Sequence, residues 1–353
     1  MSSTESAAKP TLLAIGSAFP PHELSQQEAY EGLFKSWYRA IPNAEQIMAQ
    51  TRVQRRRMAW DPRVALAAGS PGTGDRLRVF EEVMVPVAGQ SVASVLESVE
   101  RRDIGSMVMA SCTGYMGPTL DLLLARRFGL RSDLRRTFIG HMGCFAAFNV
   151  LKVAMDSLAA RPDELVLANC TESSSIHFRP DATAEQAVIH ALFGDASVSV
   201  LLGNEPEGRG VKLLRTHTEQ LYDTYEMMTW SVKNDGFFMT LSPYVPFVLV
   251  EHIEAFLSKL LGPENLAVSD IKHWGIHPGG PKIVEFISKK LALTDAQVRA
   301  TWHVLAQYGN CSSSTVLLVL EDILKQDQPR RGEYGVLMAF GPGLTMEGLL
   351  LRF

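Results

Sequence analysis

Apolar positions fall along this chain in short dense runs separated by longer stretches of helical spacing. Thr11–Ala18 is the first such run, stopped by Pro20-Pro21, and predicts a strand. Helical patterning follows to about Ala49. From Asp61 to Asp75 the chain turns polar, with Gly69-Ser70-Pro71-Gly72-Thr73-Gly74 inside it, and predicts a flexible surface loop. A long helix is expected through about Glu100, then a strand at Ser106–Ala110. The runs Leu165–Ala168, Ser197–Leu202, His273–Ile276 and Val336–Ala339 predict further buried strands with helices between them. That alternation implies a layered α/β architecture.

A weak internal repeat adds to this picture. Gly143-Cys144-Phe145, followed by Leu151, Val153, Asp156 and Leu158, is answered by Gly309-Asn310-Cys311, followed by Leu317, Val319, Asp322 and Leu324. At nearly the same offset Asp103-Ile104 matches Asp270-Ile271. Phe193-Gly194-Asp195 and Phe340-Gly341-Pro342 each precede an apolar strand. Three pairs in one order point to a duplicated half. The join is expected near Gly203–Gly210, with a tail at 1–10, one half at 11–205 and a second at 206–353. Two such halves about a pseudo-twofold axis bring the helix starts near Cys144 and Asn310 face to face.

Composition narrows the classes. The 353 residues are 46% hydrophobic and 20% charged, with a net charge of -4. This suits a globular domain with a large core and gives no basic face for nucleic acid. Met1 to Pro10 is polar and small, a disordered tail rather than a signal peptide. Apolar runs such as Thr315–Leu320 stop at Glu321 and Asp322, too short to span a bilayer. Cys112, Cys144, Cys170 and Cys311 are few for this length and read as free thiols in a reducing cytoplasm. No Cys-x-x-Cys or His-Glu-x-x-His spacing occurs, so no metal site is expected. The glycine-rich stretch lacks the Gly-Lys-Ser/Thr ending of a phosphate loop.

Three residues hold candidate chemistry. Cys144 follows a glycine-bearing turn, Ile139-Gly140-His141-Met142-Gly143, and opens a stretch with helical apolar spacing. A thiol at a helix N-terminus feels the positive end of the macrodipole, which favours thiolate. A cysteine is also a common core residue, and residue type alone leaves both readings open. His277 is held between an apolar strand and Pro278-Gly279-Gly280-Pro281. Asn310, in Tyr308-Gly309-Asn310-Cys311-Ser312-Ser313, suits a helix cap as well as a catalytic amide.

Together these segments resemble the chalcone-synthase-like type III polyketide synthases, from the first strand to Phe353. The motifs are Gly143-Cys144-Phe145-Ala146, Ala191-Leu192-Phe193-Gly194-Asp195, His277-Pro278-Gly279-Gly280-Pro281, Tyr308-Gly309-Asn310-Cys311-Ser312-Ser313 and Phe340-Gly341-Pro342-Gly343-Leu344-Thr345-Met346-Glu347. The resemblance implies a thiolase fold with duplicated αβαβα halves, and Cys144, His277 and Asn310 as a triad. It also implies an acyl-CoA starter, malonyl-CoA as extender, no cofactor beyond these thioesters, and a homodimer. Phe193 matches a gatekeeper phenylalanine, and the second gatekeeper falls on Phe238 or Met239, with Met239 favoured. The wall of the cavity would carry Cys112 (a threonine in plants), Thr113, Ser174 and His177, with Ser312 and Gly343 also beside the substrate. The methionine that crosses the plant dimer interface falls on Gly117, next to Met116.

Contacts to CoA carry over poorly, because the plant lysines and arginine correspond roughly to Asn43, Gln46 and Gln50. Arg52, Arg55 and Arg56 are left as candidates for its phosphates. A pyrone, resorcinol or other aromatic product is expected, with a medium or long fatty acyl starter first and malonyl units alone second. A single-condensation ketoacyl-carrier-protein synthase III shares the triad, but typically not the Pro-Gly-Gly-Pro or Gly-Pro-Gly-Leu-Thr segments. Hydroxymethylglutaryl-CoA synthase would want a glutamate ahead of the cysteine. A non-catalytic partner subunit would usually have lost the nucleophile.

Overall fold

The computed structural model describes residues 9–67, 69–97, 99–205 and 209–353. Its strands are β1 (Lys9–Ala18), β2 (His22–Ser25), β3 (Arg55–Met58), β4 (Ile104–Ser111), β5 (Arg135–Gly140), β6 (Leu165–Ser173), β7 (Asp195–Glu205), β8 (Val211–Gln220), β9 (Met228–Lys233), β10 (Gly236–Leu241), β11 (Ile271–Ile276), β12 (Tyr334–Gly341) and β13 (Thr345–Arg352). Nine of them form one sheet in the order β11-β12-β13-β8-β1-β7-β6-β4-β5, while β9–β10 and β2–β3 are separate ribbons.

The sheet repeats itself about its middle. From β1 outward, β7 and β6 pair antiparallel and β4 parallel; from β8 outward, β13 and β12 pair antiparallel and β11 parallel. The two series meet only at Thr11↔Lys212 and Leu12↔Val211. Between them lie the helix Ala146–Ala160, packed on β4 and β6, and the helix Thr315–Asp322, packed on β11 and β12. Val85–Val95 covers β1 and β7 from outside, and Val245–Leu261 covers β8 and β13. These are the duplicated αβαβα layers of a thiolase fold.

Strand alternation sorts side chains between the layers. Val108, Ala168, Val198, Leu337 and Leu349 turn inward onto Phe148, Leu151, Val316 and Leu320. Met107, Met109, Leu167 and Leu201 turn outward onto Val92, Val95 and Leu124. Strands buried on both faces need apolar residues at nearly every position, which is why they stood out as continuous runs.

Several expected boundaries shift. Residues 1–8 lie outside the described residues, but Lys9 and Pro10, expected in the tail, open β1 opposite Glu205 and Asn204. Residues 206–208, on which the expected join falls, are also outside the described residues. The helical stretch to Ala49 is interrupted: β2 precedes it, and Ser25 starts a new helix by a capping box with Glu28. Inside the expected loop, Asp61 caps a short helix with Pro62 in its first turn, and another begins at Thr73. The long helix widens to a π-type turn at Phe80–Met84, just ahead of Pro86, and ends at Val95 rather than Glu100.

Candidate active site

After β5 the chain turns sharply through His141 (φ 59°) and Gly143 (φ 82°). A side chain at Gly143 would drive its Cβ to 2.6 Å from the Pro342 ring, so only glycine fits. The turn sets Cys144 two residues ahead of the helix Ala146–Ala160, buried at 7% exposure. The side chains of Ser312 and Asn310 hydrogen-bond toward its thiol.

Asn310 is fixed on every other side. Its N–H donates to the Leu192 carbonyl (2.8 Å) and its carbonyl accepts from the Gly194 N–H (3.0 Å). Its Oδ1 accepts from the Ser312 N–H at 2.9 Å and the Thr315 hydroxyl at 3.4 Å. The carboxamide therefore presents its Nδ2 donors to the site.

His277 ends β11, with its N–H on the Met338 carbonyl (2.8 Å) and its own carbonyl accepting from Gly279 (2.9 Å). Its ring is buried, and neither nitrogen has a partner among the described residues. Burial lowers its pKa to about 3, so the ring is neutral near neutral pH. Burial likewise pushes the Cys144 thiol up to about 12, against the hydrogen bonds from Ser312 and Asn310. Cys144 therefore rests as a thiol, whereas its place at a helix start suggested a thiolate. Desolvation of the charged sulfur outweighs the dipole here.

Cys144 faces a cavity lined by Cys112, Thr113, Gly143, Ser174, Phe193, Met228, Thr229, Trp230, Met239, Ser312 and Pro342. The free space at its centre is about 30 Å³, against the roughly 10–15 Å³ a single water needs on the same measure. The Cys112 thiol accepts from the Gly143 N–H at 3.0 Å, beside the nucleophile. The Ser174 hydroxyl is buried and unpartnered. Trp230 is pinned by an Nε1 hydrogen bond to the Cys112 carbonyl at 3.0 Å.

Of the expected contacts, His177, Phe238, Gly343 and Arg56 are placed elsewhere, and Arg52 and Arg55 are exposed but already paired. His177 does not line the cavity: its Nε2 meets the Thr113 carbonyl (2.7 Å), its Nδ1 accepts from the Phe237 N–H (3.1 Å), and its ring stacks on Phe237. Both nitrogens serve the backbone. Phe238 lies between Arg179 and Lys233, 4.2 and 3.7 Å from its centroid, leaving Met239 to face the cavity. Pro342 lines the cavity where Gly343 (φ 133°) only shapes the turn. Arg52 is exposed but paired to Glu285 at 2.6 Å and laid over Trp302. Arg55 binds Gln307 at 2.7 Å and Glu23 at 3.6 Å. Arg56 is wholly buried, with Nη1 and Nη2 on internal groups, so it has no reach to a phosphate in solvent.

Sequence reasoning missed two features. Glu172, buried at the end of β6, accepts from the Cys112 N–H (2.9 Å), the Thr113 hydroxyl (2.6 Å) and the Ser313 hydroxyl. Burial raises its pKa. A run of polar residues, Thr171-Glu172-Ser173-Ser174-Ser175, closing an apolar strand was the available signal. The wall Met228-Thr229-Trp230 was missed with the β9–β10 hairpin, whose Asn234-Asp235-Gly236 turn announces it.

Comparison with known proteins places this arrangement. Family models of the N-terminal and C-terminal domains of chalcone and stilbene synthases match residues 1–206 and 212–353. The alpha-pyrone synthesis polyketide synthase-like Pks18 of Mycobacterium tuberculosis is 32% identical over 86% of this chain and 80% of its own length. The 3,5-dihydroxyphenylacetyl-CoA synthase of Streptomyces toyocaensis is 31% identical over 98% and 90%. The crystal structure of PKS-I from the brown alga Ectocarpus siliculosus superposes with a TM-score of 0.93 at 28% identity, covering 99% of this chain and 100% of that one. With its fold, its motifs and both family domains in agreement, the chain belongs to the chalcone and stilbene synthases, the type III polyketide synthases, which are condensing acyltransferases.

Proposed function

We propose that Cys144 carries the growing acyl chain while His277 and Asn310 hold the negative charge that develops at the thioester oxygen. The observations that carry this are a buried thiol with the Asn310 side chain hydrogen-bonded toward it, an amide whose acceptor side is already occupied, and a buried neutral His277 imidazole with neither nitrogen partnered among the described residues. An arriving acyl-CoA supplies the missing partners. The thiol gives its proton to His277 as sulfur attacks the thioester carbon; the C–S bond to CoA breaks, and the proton leaves with the CoA thiol. Malonyl-CoA then loses carbon dioxide, and the C–C bonding pair becomes an enolate. Hydrogen bonds from the His277 ring N–H and Asn310 Nδ2 stabilise its oxygen. The enolate carbon attacks the acyl carbonyl on Cys144; the C–S bond to Cys144 breaks, leaving it a thiolate and the chain, longer by two carbons, on CoA. That thiolate takes the chain back from CoA for the next round, expelling CoA, and the finished chain closes to a pyrone or an aromatic ring.

A medium or long fatty acyl starter stays first and malonyl units alone second, and either extended chain needs Trp230 and Met228 to move, because the about 30 Å³ at the cavity's centre holds neither. A panel of acyl-CoA starters with labelled malonyl-CoA, read by product mass, tests this. Cys144→Ala is expected to lose product formation and covalent acylation while keeping the fold. Turnover by that variant would sink the assignment of the nucleophile.

The chain also works, in this reading, as a homodimer without a cofactor other than its CoA substrates. β5 pairs only with β4, and Tyr115, Phe138 and Met142 beside it are exposed large apolar residues. CoA phosphates meet Arg52 or Arg55 once these exchange their exposed acidic or amide partners. Four free cysteines suit a reducing cytoplasm.

A further inference from the structure

Arg56 has no part in the chemistry above, yet it is a fully buried cation with no carboxylate hydrogen-bonded to it and no partner for its Nε among the described residues. Its Nη1 donates to the carbonyls of His190 and Phe193, the latter at 3.0 Å. Its Nη2 donates to Gln26 Oε1 at 2.6 Å, and Gln26 Nε2 in turn holds the Ala191 carbonyl at 3.0 Å. Three carbonyls of the segment carrying Phe193 are thus gripped from one side. The opposite side of that segment is the strand-like bridge between Phe193 and Asn310, closed by Asn310 N–H to Leu192 and Gly194 N–H to Asn310.

The arginine stem lies between the glycines that flank these two residues. A Cβ on Gly194 would come within 3.1 Å of Arg56 Cβ, and one on Gly309 within 3.5 Å of Arg56 Cδ. One side chain therefore touches the backbone before the gate phenylalanine, after it, and before the active-site amide. Those elements come from different halves of the sequence. A guanidinium suits this post because its planar fork serves several acceptors at once, whereas an ammonium is a point donor.

We propose that Arg56 is a positioning residue that sets Asn310 Nδ2 and the Phe193 ring by clamping the His190–Gly194 backbone. The proposal rests on the reading of Asn310 given above. Its signature is a split between steps. Decarboxylation of malonyl-CoA depends on the Asn310 donor being correctly aimed, whereas attack by Cys144 on a starter depends on the thiol and His277.

The test compares wild type with Arg56→Gln, Arg56→Lys and Asn310→Ala. Two rates are measured on each, with thermal unfolding as the check on folding: carbon dioxide release from malonyl-CoA alone, and acylation of Cys144 by an acyl-CoA followed by intact mass. In Arg56→Gln, decarboxylation is expected to fall about tenfold or more, the scale of a loss from sub-ångström to ångström misplacement, with acylation within about threefold of wild type. Arg56→Lys, which keeps the charge but not the fork, should fall between the two and stands in if Arg56→Gln does not fold. Equal losses in both steps, or wild-type decarboxylation in both arginine variants, would overturn the proposal. Undiminished decarboxylation in Asn310→Ala would instead overturn the role of Asn310, a separately visible result.

Discussion

At Cys144 two influences on one thiol oppose each other. The Ser312 and Asn310 side chains favour the thiolate, and burial in an apolar cavity disfavours it by more, leaving a pKa of about 12. The His277 imidazole, held near 3 by burial, carries no positive charge near neutral pH that could reverse this. Well below 12 the thiolate fraction rises tenfold with each pH unit. Alkylation of Cys144 by iodoacetamide without substrate is accordingly expected to climb about tenfold per unit from about pH 6 to 9 with no plateau. A plateau near neutrality would mean a thiolate–imidazolium pair and overturn this reading. Trp230 is the other residue whose effect is local. Its indole is pinned across the cavity by the Cys112 carbonyl and set edge-on to His177 and Phe237. Trp230→Ala is expected to enlarge the cavity and shift products toward longer chains, read as added two-carbon units by mass. An unchanged product set would show that the indole does not set the limit.

Between elements, the halves are tied by a few specific contacts laid over the shared core. Lys152, on the helix that follows the nucleophile, reaches Glu347 on β13 at 2.7 Å, and Thr218 on β8 donates to the same carboxylate at 2.9 Å. Glu347 is buried and Lys152 only partly so. Removing the lysine leaves a buried carboxylate without its cation. Lys152→Met should cost about 2–3 kcal/mol, below the loss for a fully buried pair, read as a lower denaturation midpoint. Adding Glu347→Gln should restore part of that loss; a further drop would show the two residues acting independently. Recognising such a tie from sequence was out of reach, since Lys152 and Glu347 lie far apart in the chain and the carboxylate in helical spacing with Lys152 is Asp156.

For the molecule as a whole, the nine-stranded sheet of the described residues has two edges, β11 and β5, and exposed apolar residues gather at β5. β5 has unpaired backbone on its outer side, and Phe138 on it, with Tyr115 and Met142 nearby, presents apolar surface there. A second copy meeting this edge covers both at once. Sedimentation is expected to show a dimer for wild type and a shift toward monomer for Phe138→Glu, with weakened activity if the neighbouring cavity wall depends on the contact. A wild-type monomer at full activity would overturn this.

The chain's own pattern determined the buried strands, because a strand covered on both faces must be apolar at almost every position. It determined the duplication too, because equivalent helix starts keep glycine and small residues wherever the backbone crowds. Cys144, His277 and Asn310 stood out as candidates because each lies beside a glycine or proline turn, at Gly143, Pro278 and Gly309. Tertiary structure alone decided which neighbouring side chains turn toward the cavity. Met239 faces it while Phe238 lies between cations, His177 turns both nitrogens to backbone, and Arg56 is buried while Arg52 and Arg55 stay outside. Burial and partner choice depend on residues distant in the chain. So does the charge state of Cys144, set by desolvation that only the packed fold creates.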